Sequence, residues 1–194
     1  MKQRVAVIGA ARPLGLAISS GLAAAGYPIL MTDGVEPHPG LLFVSLLLLA
    51  RIKICLPHAD ARLLLSERDA SWEADIVFPV VPCESLTALS RRIKDVVTGK
   101  IVVCLRGQRE EPHDDTGKSA MPGAAREMAS LFPHSKIVSA TVTPVPGCFG
   151  EPGNAGEVKH VIVSGDDQEA LSSVMELIRD AGFVTLKDGA LAPQ

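Results

Sequence analysis

Apolar residues in this chain fall into short runs broken by glycine, proline and polar clusters, and two kinds of run alternate. Val5, Val7 and Ile8 form a compact run rich in β-branched residues, the composition of a parallel strand buried on both faces. Gly9 follows at once, and Leu14, Ile18 and Leu22 then recur at helical spacing. The stretch from Arg4 to Ile18 therefore predicts strand, tight turn and helix, with the helix running from Pro13 to Ala25 and stopping at Gly26. Pro13 suits the first helical turn, where its missing N–H is no loss.

The same alternation continues. Strands are predicted at Ile29–Thr32, Ala61–Leu65, Asp75–Pro82, Lys100–Leu105, Lys136–Ala140, Val158–Ser164 and Phe183–Leu186. Helices are predicted at Leu41–Ile52, Glu84–Val97, Pro122–Phe132 and Asp167–Ala181, with a polar turn or short helix at Ser66–Ala74. Lys53–Asp60 is expected to be a loop or short extended piece, and Arg106–Met121 and the Pro/Gly-rich Thr141–Gly156 to be loops. Strands alternating with helices point to an α/β fold, a doubly wound and mostly parallel sheet, in one domain over residues 1–194. The helix from Leu41 to Ala50 has Ser45 as its sole polar residue. It is expected either to be buried all round or to pack on another subunit, making the chain a homo-oligomer.

Composition narrows the picture. The chain has 194 residues, 47% of them hydrophobic, enough for one α/β domain with a full core. A net charge of −3 gives no reason to expect a nucleic-acid partner. Cys55, Cys83, Cys104 and Cys148 are widely spaced with no CxxC, which fits reduced thiols and a cytoplasmic location. The basic-then-apolar start is interrupted by Arg12 and Pro13, and the ten-residue run Leu41–Ala50 is too short to cross a bilayer. No membrane partner is expected.

Candidate chemistry gathers at the first turn, Gly9-Ala10-Ala11-Arg12-Pro13-Leu14-Gly15. Gly9 and Gly15 keep the outer positions of a GxxGxxG spacing, with Arg12 in the middle. A helix N-terminus over a strand end offers free N–H groups and a dipole to a phosphate, so this reads as a dinucleotide-binding element, or as a plain strand–helix corner. Asp33 lies 18 residues after Gly15, near where such folds place the carboxylate that binds ribose, although Asp33-Gly34 is also an ordinary turn pair. The strand end Val80-Val81-Pro82-Cys83 should face the same crevice. Arg12 is expected either to pair with a pyrophosphate or to swing across to Asp33 and plug the site. NAD is favoured over NADP, since Asp33 would repel a 2′-phosphate. Cys83 and Cys148 flank the crevice and read as structural thiols. The acidic knot Glu110, Glu111, His113, Asp114 and Asp115 reads as a solvated loop rather than a metal site, and no metal is expected. No nucleophile elbow, HExxH or P-loop occurs.

The segments VAVIGAARPLG, ADIVFPVVP, KIVSATVTPVP and VIVSGDDQEALSSVMELIRDAGFVTLKDGALA occur in an order that resembles the F420-dependent NADP oxidoreductase family. A weaker likeness, through GYPILMTD and the strand ending at Pro82, is to the nucleotide-binding domain of prephenate dehydrogenase. The resemblance implies a Rossmann-type NAD(P)-binding domain that moves a hydride between a nicotinamide and a second redox partner, deazaflavin F420 or a flavin. It further implies that Ala140 lies by the cofactor and that Val142, Thr143, Pro144, Val145 and Pro146 line the second substrate's pocket, with Thr141–Gly156 as its gate. The alternative is a non-catalytic dinucleotide-binding module or regulatory subunit of the same fold.

Overall fold

The computed structural model describes residues 2–34, 39–107, 121–142 and 160–187, the first four residues of the helix at 121 by backbone only. In chain order these form β1 (Val5–Ile8), α1 (Pro13–Ala24), β2 (Ile29–Thr32), α2 (Pro39–Cys55), β3 (Ala61–Leu63), α3 (Glu67–Glu73) and β4 (Ile76–Pro79). There follow α4 (Cys83–Ile93), β5 (Ile101–Gly107), α5 (Met121–Leu131), β6 (Lys136–Val142), β7 (His160–Gly165), α6 (Gln168–Asp180) and β8 (Val184–Lys187). The strands join one sheet in the order β3-β2-β1-β4-β5-β6-β7-β8. Pairing is parallel except between β6 and β7, which run antiparallel. This is the expected α/β architecture, doubly wound about β1.

Residues alternate strictly between two cores because successive strand side chains point to opposite faces. Val5, Val7, Ile29, Met31, Ile76 and Phe78 pack beneath α1, α2 and α6. Ala6, Ile8, Leu30, Val77, Val102 and Cys104 pack beneath α3, α4 and α5. All four residues of β1 are fully buried, as its central place requires. Helix α1 ends where Gly26, at φ +78°, turns the chain. Gly26 N–H donates to Ala23 C=O and Tyr27 N–H to Leu22 C=O, so two of the last carbonyls of the helix are satisfied.

Several boundaries differ from expectation. Helix α2 runs on through Lys53 to Cys55, because the Lys53 ammonium donates to Ala59 C=O at 2.7 Å and Leu56 N–H to Ile52 C=O. Strand β3 stops at Leu63, leaving Leu65 in solvent. Within Ser66–Ala74 lies the short helix α3, capped by the Ser66 hydroxyl, which accepts from Asp69 N–H at 3.1 Å. Strand β4 ends at Pro79, with Pro82 as the N-cap of α4, since neither proline has an N–H for the ladder. Strands β5 and β6 extend two residues beyond their expected ends, pairing Gly107 with Val142. The acidic knot, Cys148, most of the Thr141–Gly156 loop and the Asp188–Leu191 turn lie outside the described residues. Among the described residues no helix is long and apolar enough to cross a membrane, and no cluster of His, Cys, Asp and Glu is placed to hold a metal.

Tyr27 ties the end of α1 to α6. Its hydroxyl donates to Asp180 Oδ2 at 2.8 Å, and the Lys2 ammonium sits 4.2 Å from the ring centroid. Burial, then the Asp180 hydrogen bond and the charges of Asp180 and Glu176, push the Tyr27 pKa up to about 12 from 10.0. A pKa raised on folding stabilises the folded state fully below the free-tyrosine value, and that contribution disappears as pH climbs through the folded value. The melting temperature should therefore fall more steeply between pH 10 and 12 in the wild-type chain than in Tyr27→Phe. Parallel melting curves of the two across that range would remove the assignment.

Candidate active site

Strand β1 pairs with β2 on one side and β4 on the other, so the chain winds away in opposite directions from the β1/β4 edge. Loops leaving adjacent strands at such a switch point diverge, and a crevice opens outside their carboxyl ends. Here it measures about 330 Å³, within the usual range for a small-molecule site. Arg12, Pro13 and Leu14 line one wall, Val80, Val81 and Pro82 the floor, and Cys83, Leu86, Leu105, Arg106 and Met128 the far side.

The turn after β1 is shaped by two glycines. Gly9 has φ +90°, and a Cβ there would stand 2.1 Å from the Val80 carbonyl oxygen. A Cβ on Gly15 would stand 2.3 Å from the carbonyl oxygen of Gly9. Both distances lie far inside van der Waals contact, so bare backbone is required at both positions. Gly9 and Ala10 N–H groups donate to Thr32 C=O at 2.8 and 2.9 Å, which pins the turn to the end of β2. Leu16 N–H to Arg12 C=O, at 2.7 Å, is the first hydrogen bond of α1. The Leu14 and Gly15 amides precede it, at the positive end of the helix dipole. Ala10 and Ala11 are buried beneath the turn rather than lining the crevice.

Arg12 is the N-cap of α1, in extended conformation, and its side chain makes no capping bond. Its Nε is buried without a hydrogen-bond partner. Among the described residues no ion pair joins it to Asp33. Asp33 is held elsewhere: the Ser45 hydroxyl of α2 donates to Asp33 Oδ1. Ser45 is fully buried, so the sole polar residue of the Leu41–Ala50 run turns inward to position this carboxylate. Gly34 sits beside Val81, where a Cβ would come 3.4 Å from Val81 Cγ1, so the Asp33-Gly34 turn abuts the crevice floor.

On the far side Arg106, near the end of β5, donates through Nη2 to Cys83 Sγ at 3.3 Å. Partial burial works against its charge, but Cys104 and Cys83 beside it outweigh that and hold its pKa above the ordinary arginine value. Cys83 is exposed at the first position of α4. Among the described residues no Asp, Glu, His or Lys lines the crevice. Among the described residues two guanidinium groups thus face the cavity with no lining carboxylate, an arrangement that favours anions.

The structure thus joins Gly9–Gly15, Asp33 and Val80–Pro82 around one edge. It separates two other expected residues from the crevice. Ala140 is fully buried in the core beneath α1 and α6, and Val142 closes an apolar gap of about 10 Å³ with Leu14, Ile18 and Phe183. Both point to the helix-covered face because β6 continues its alternation to Val142. Thr143, Pro144, Val145 and Pro146 lie outside the described residues. Sequence reasoning missed Arg106 and Ser45. A charged residue ending an apolar strand run, and one hydroxyl inside an apolar helix, were the available signals.

No protein-family model and no curated protein sequence matches the chain. Solved structures do. A hypothetical protein from Sinorhizobium meliloti is similar over 96% of this chain and 84% of its own, at 21% identity and a TM-score of 0.64. An imine reductase from Myxococcus stipitatus, in complex with NAD+, is similar over 96% of this chain and 55% of its own, at 20% identity and a TM-score of 0.66. A pyrroline carboxylate reductase from Plasmodium falciparum, with NADP bound, matches 95% of this chain and 57% of its own, at 12% identity and a TM-score of 0.60. The chain spans little more than half the length of these two reductases. At such identities the likeness shows the fold, a Rossmann-type α/β sheet.

The glycine contacts can be tested directly. Gly15→Ala should cost roughly 1–3 kcal/mol of stability in urea denaturation, because the new methyl group must push α1 off the Gly9 carbonyl. Gly107→Ala, where no described atom comes within 4 Å of an added Cβ, should be neutral or slightly stabilising. Equal effects at the two positions would show that the close approach is not what demands glycine at Gly15.

Proposed function

We propose that this chain binds a nicotinamide dinucleotide across the β1/β4 edge and serves hydride transfer to a second redox partner. The observation that carries the reading is the crevice at the switch point, bounded by the amino end of α1, Arg12 and the two sterically required glycines. The imine and pyrroline carboxylate reductases bind NAD+ and NADP on the same fold, which supports it.

In this reading the Leu14 and Gly15 amides and the Arg12 guanidinium hold the pyrophosphate, whose charge answers the unpartnered Arg12 Nε. Asp33, oriented by Ser45, accepts hydrogen bonds from the adenosine ribose. Val80, Val81 and Pro82 present an apolar floor that excludes water from the nicotinamide. The dinucleotide, when bound, supplies the hydride. The second partner approaches over Arg106, which gives an anionic group on it a counter-charge. In this reading Thr143, Pro144, Val145 and Pro146 belong to the second partner's pocket. The family resemblance makes that partner deazaflavin F420 or a flavin.

Among the described residues the lining holds no Asp, Glu, His or Lys, and the second reading is a module that binds the dinucleotide without turnover. Hydride transfer asks little of side chains beyond alignment, so both readings share the site and differ in activity.

Fluorescence titration with NADH and NADPH tests the shared part, and NADH-dependent reduction of F420 or flavin mononucleotide the rest. The wild-type chain should bind NADH more tightly, and Asp33→Ser with Gly34→Arg should shift the preference toward NADPH. Tighter NADPH binding by the unmodified chain would overturn the role of Asp33, and failure to bind either would overturn the whole reading. Arg106→Met should leave NADH affinity within about threefold while raising the KM for an anionic acceptor roughly tenfold or more, the loss of one charge-assisted contact.

A further inference from the structure

Helix α2 shows opposite characters on its two sides. Ser45, Leu48 and Ile52 face inward and are buried. Phe43, Leu46, Leu47 and Ile54 face outward and remain 61%, 48%, 54% and 78% exposed. Phe43, Leu47, Ala50 and Ile54 follow one another at spacings of four, three and four, the 3.5-residue period of a coiled-coil seam. We propose that this seam is the contact surface for a second copy of the chain, pairing α2 with α2 antiparallel about a two-fold axis.

Three features select that occupant. The seam is self-complementary: a two-fold axis passing between Leu48 and Leu49 sets Phe43 against Ile54 of the second copy and Leu47 against its Ala50, so large faces large and large faces small. A two-fold contact demands this reciprocity. The charges agree as well. Arg51 and Lys53 are the sole charged residues of α2, and the same axis places them against Leu46 and Val44 of the second copy, so no like charges meet. The Arg51 stem can cover apolar surface while its charged head reaches water, and the Lys53 head is held on Ala59 C=O of its own chain.

The area fits too. The exposed side chains of the seam and its flanks present on the order of 450 Å² per copy, near the largest apolar patch a monomer ordinarily leaves in water. Pairing would remove roughly twice that in total, close to the ~1,000 Å² that a specific interface needs. A lipid surface fits less well. Membrane-surface helices carry many cations along a broad polar face, whereas the inner side of α2 is buried in its own domain and its cations number two.

Sedimentation equilibrium of the full chain at micromolar concentration tests the proposal. The wild type should run at twice its 20.4 kDa mass, and Leu47→Glu with Ile54→Glu at the monomer mass with an unchanged far-ultraviolet spectrum. A short-span dimaleimide gives a readout independent of those variants. Antiparallel pairing brings position 50 near its symmetry mate but holds the exposed Cys55 about 20 Å from its own along the helix axis. Ala50→Cys should cross-link efficiently and the native Cys55 should not. A wild-type chain that is monomeric throughout the micromolar range overturns the proposal, as does a dimer untouched by the two glutamates. Strong cross-linking of native Cys55 overturns the antiparallel arrangement. A monomer that pellets with anionic phospholipid vesicles through the same residues overturns it in favour of a lipid surface.

Discussion

The arrangement of the molecule rests on a close approach of bare backbone at one strand edge. Val80 C=O comes to where a Cβ of Gly9 would be, and Gly9 C=O to where a Cβ of Gly15 would be. These two contacts draw the β1 turn against the end of β4 and seat the first turn of α1 directly above it. Substituting side chains would force α1 outward, and the crevice would lose the wall formed by Arg12, Pro13 and Leu14. The buried β1 and the alternating cores on either side make this edge rigid, since every strand beside it is fixed from both faces.

The electrostatics of the crevice follow from which charges that geometry admits. The chain as a whole carries a net charge of −3, yet among the described residues the cavity presents Arg12 and Arg106 and no lining carboxylate. Asp33, the nearby acid on β2's end, is held by Ser45 rather than by a guanidinium. Cation and anion are thus kept apart around one cleft, which leaves each available to a different part of a ligand. Arg106 rests on the soft thiols of Cys83 and Cys104, both weak acceptors.

Helix α2 links this site to the outer surface. Its inner side carries Ser45 to Asp33 while its outer side carries the apolar seam, so the carboxylate and the exposed leucines share one rigid rod. Whatever packs against the seam bears on the helix that orients Asp33. A hydroxyl in the middle of an apolar run costs stability when buried unless it finds a partner, and Asp33 provides one.

The sequence by itself determined the class of fold and the edge where its chemistry lies. Buried strand runs such as Val5–Ile8 and Ile76–Pro79, with periodic helices between them, admit few packings other than a doubly wound sheet. Gly9 and Gly15 marked the turn because only glycine tolerates such backbone contact. Tertiary structure decided the rest. Arg106 became part of the crevice only because β5 pairs beside β4, an adjacency that no local pattern encodes. Ala140 and Val142 lie in the core because the strand pleat fixes the face a residue points to, and for Val142 that pleat carried on past the expected end of β6. The partner of Ser45 lies twelve positions back in the chain, and the two meet only because α2 folds across the end of β2. Periodicity sets which side of an element is apolar; what that side meets depends on strand order and helix placement, which are properties of the whole chain.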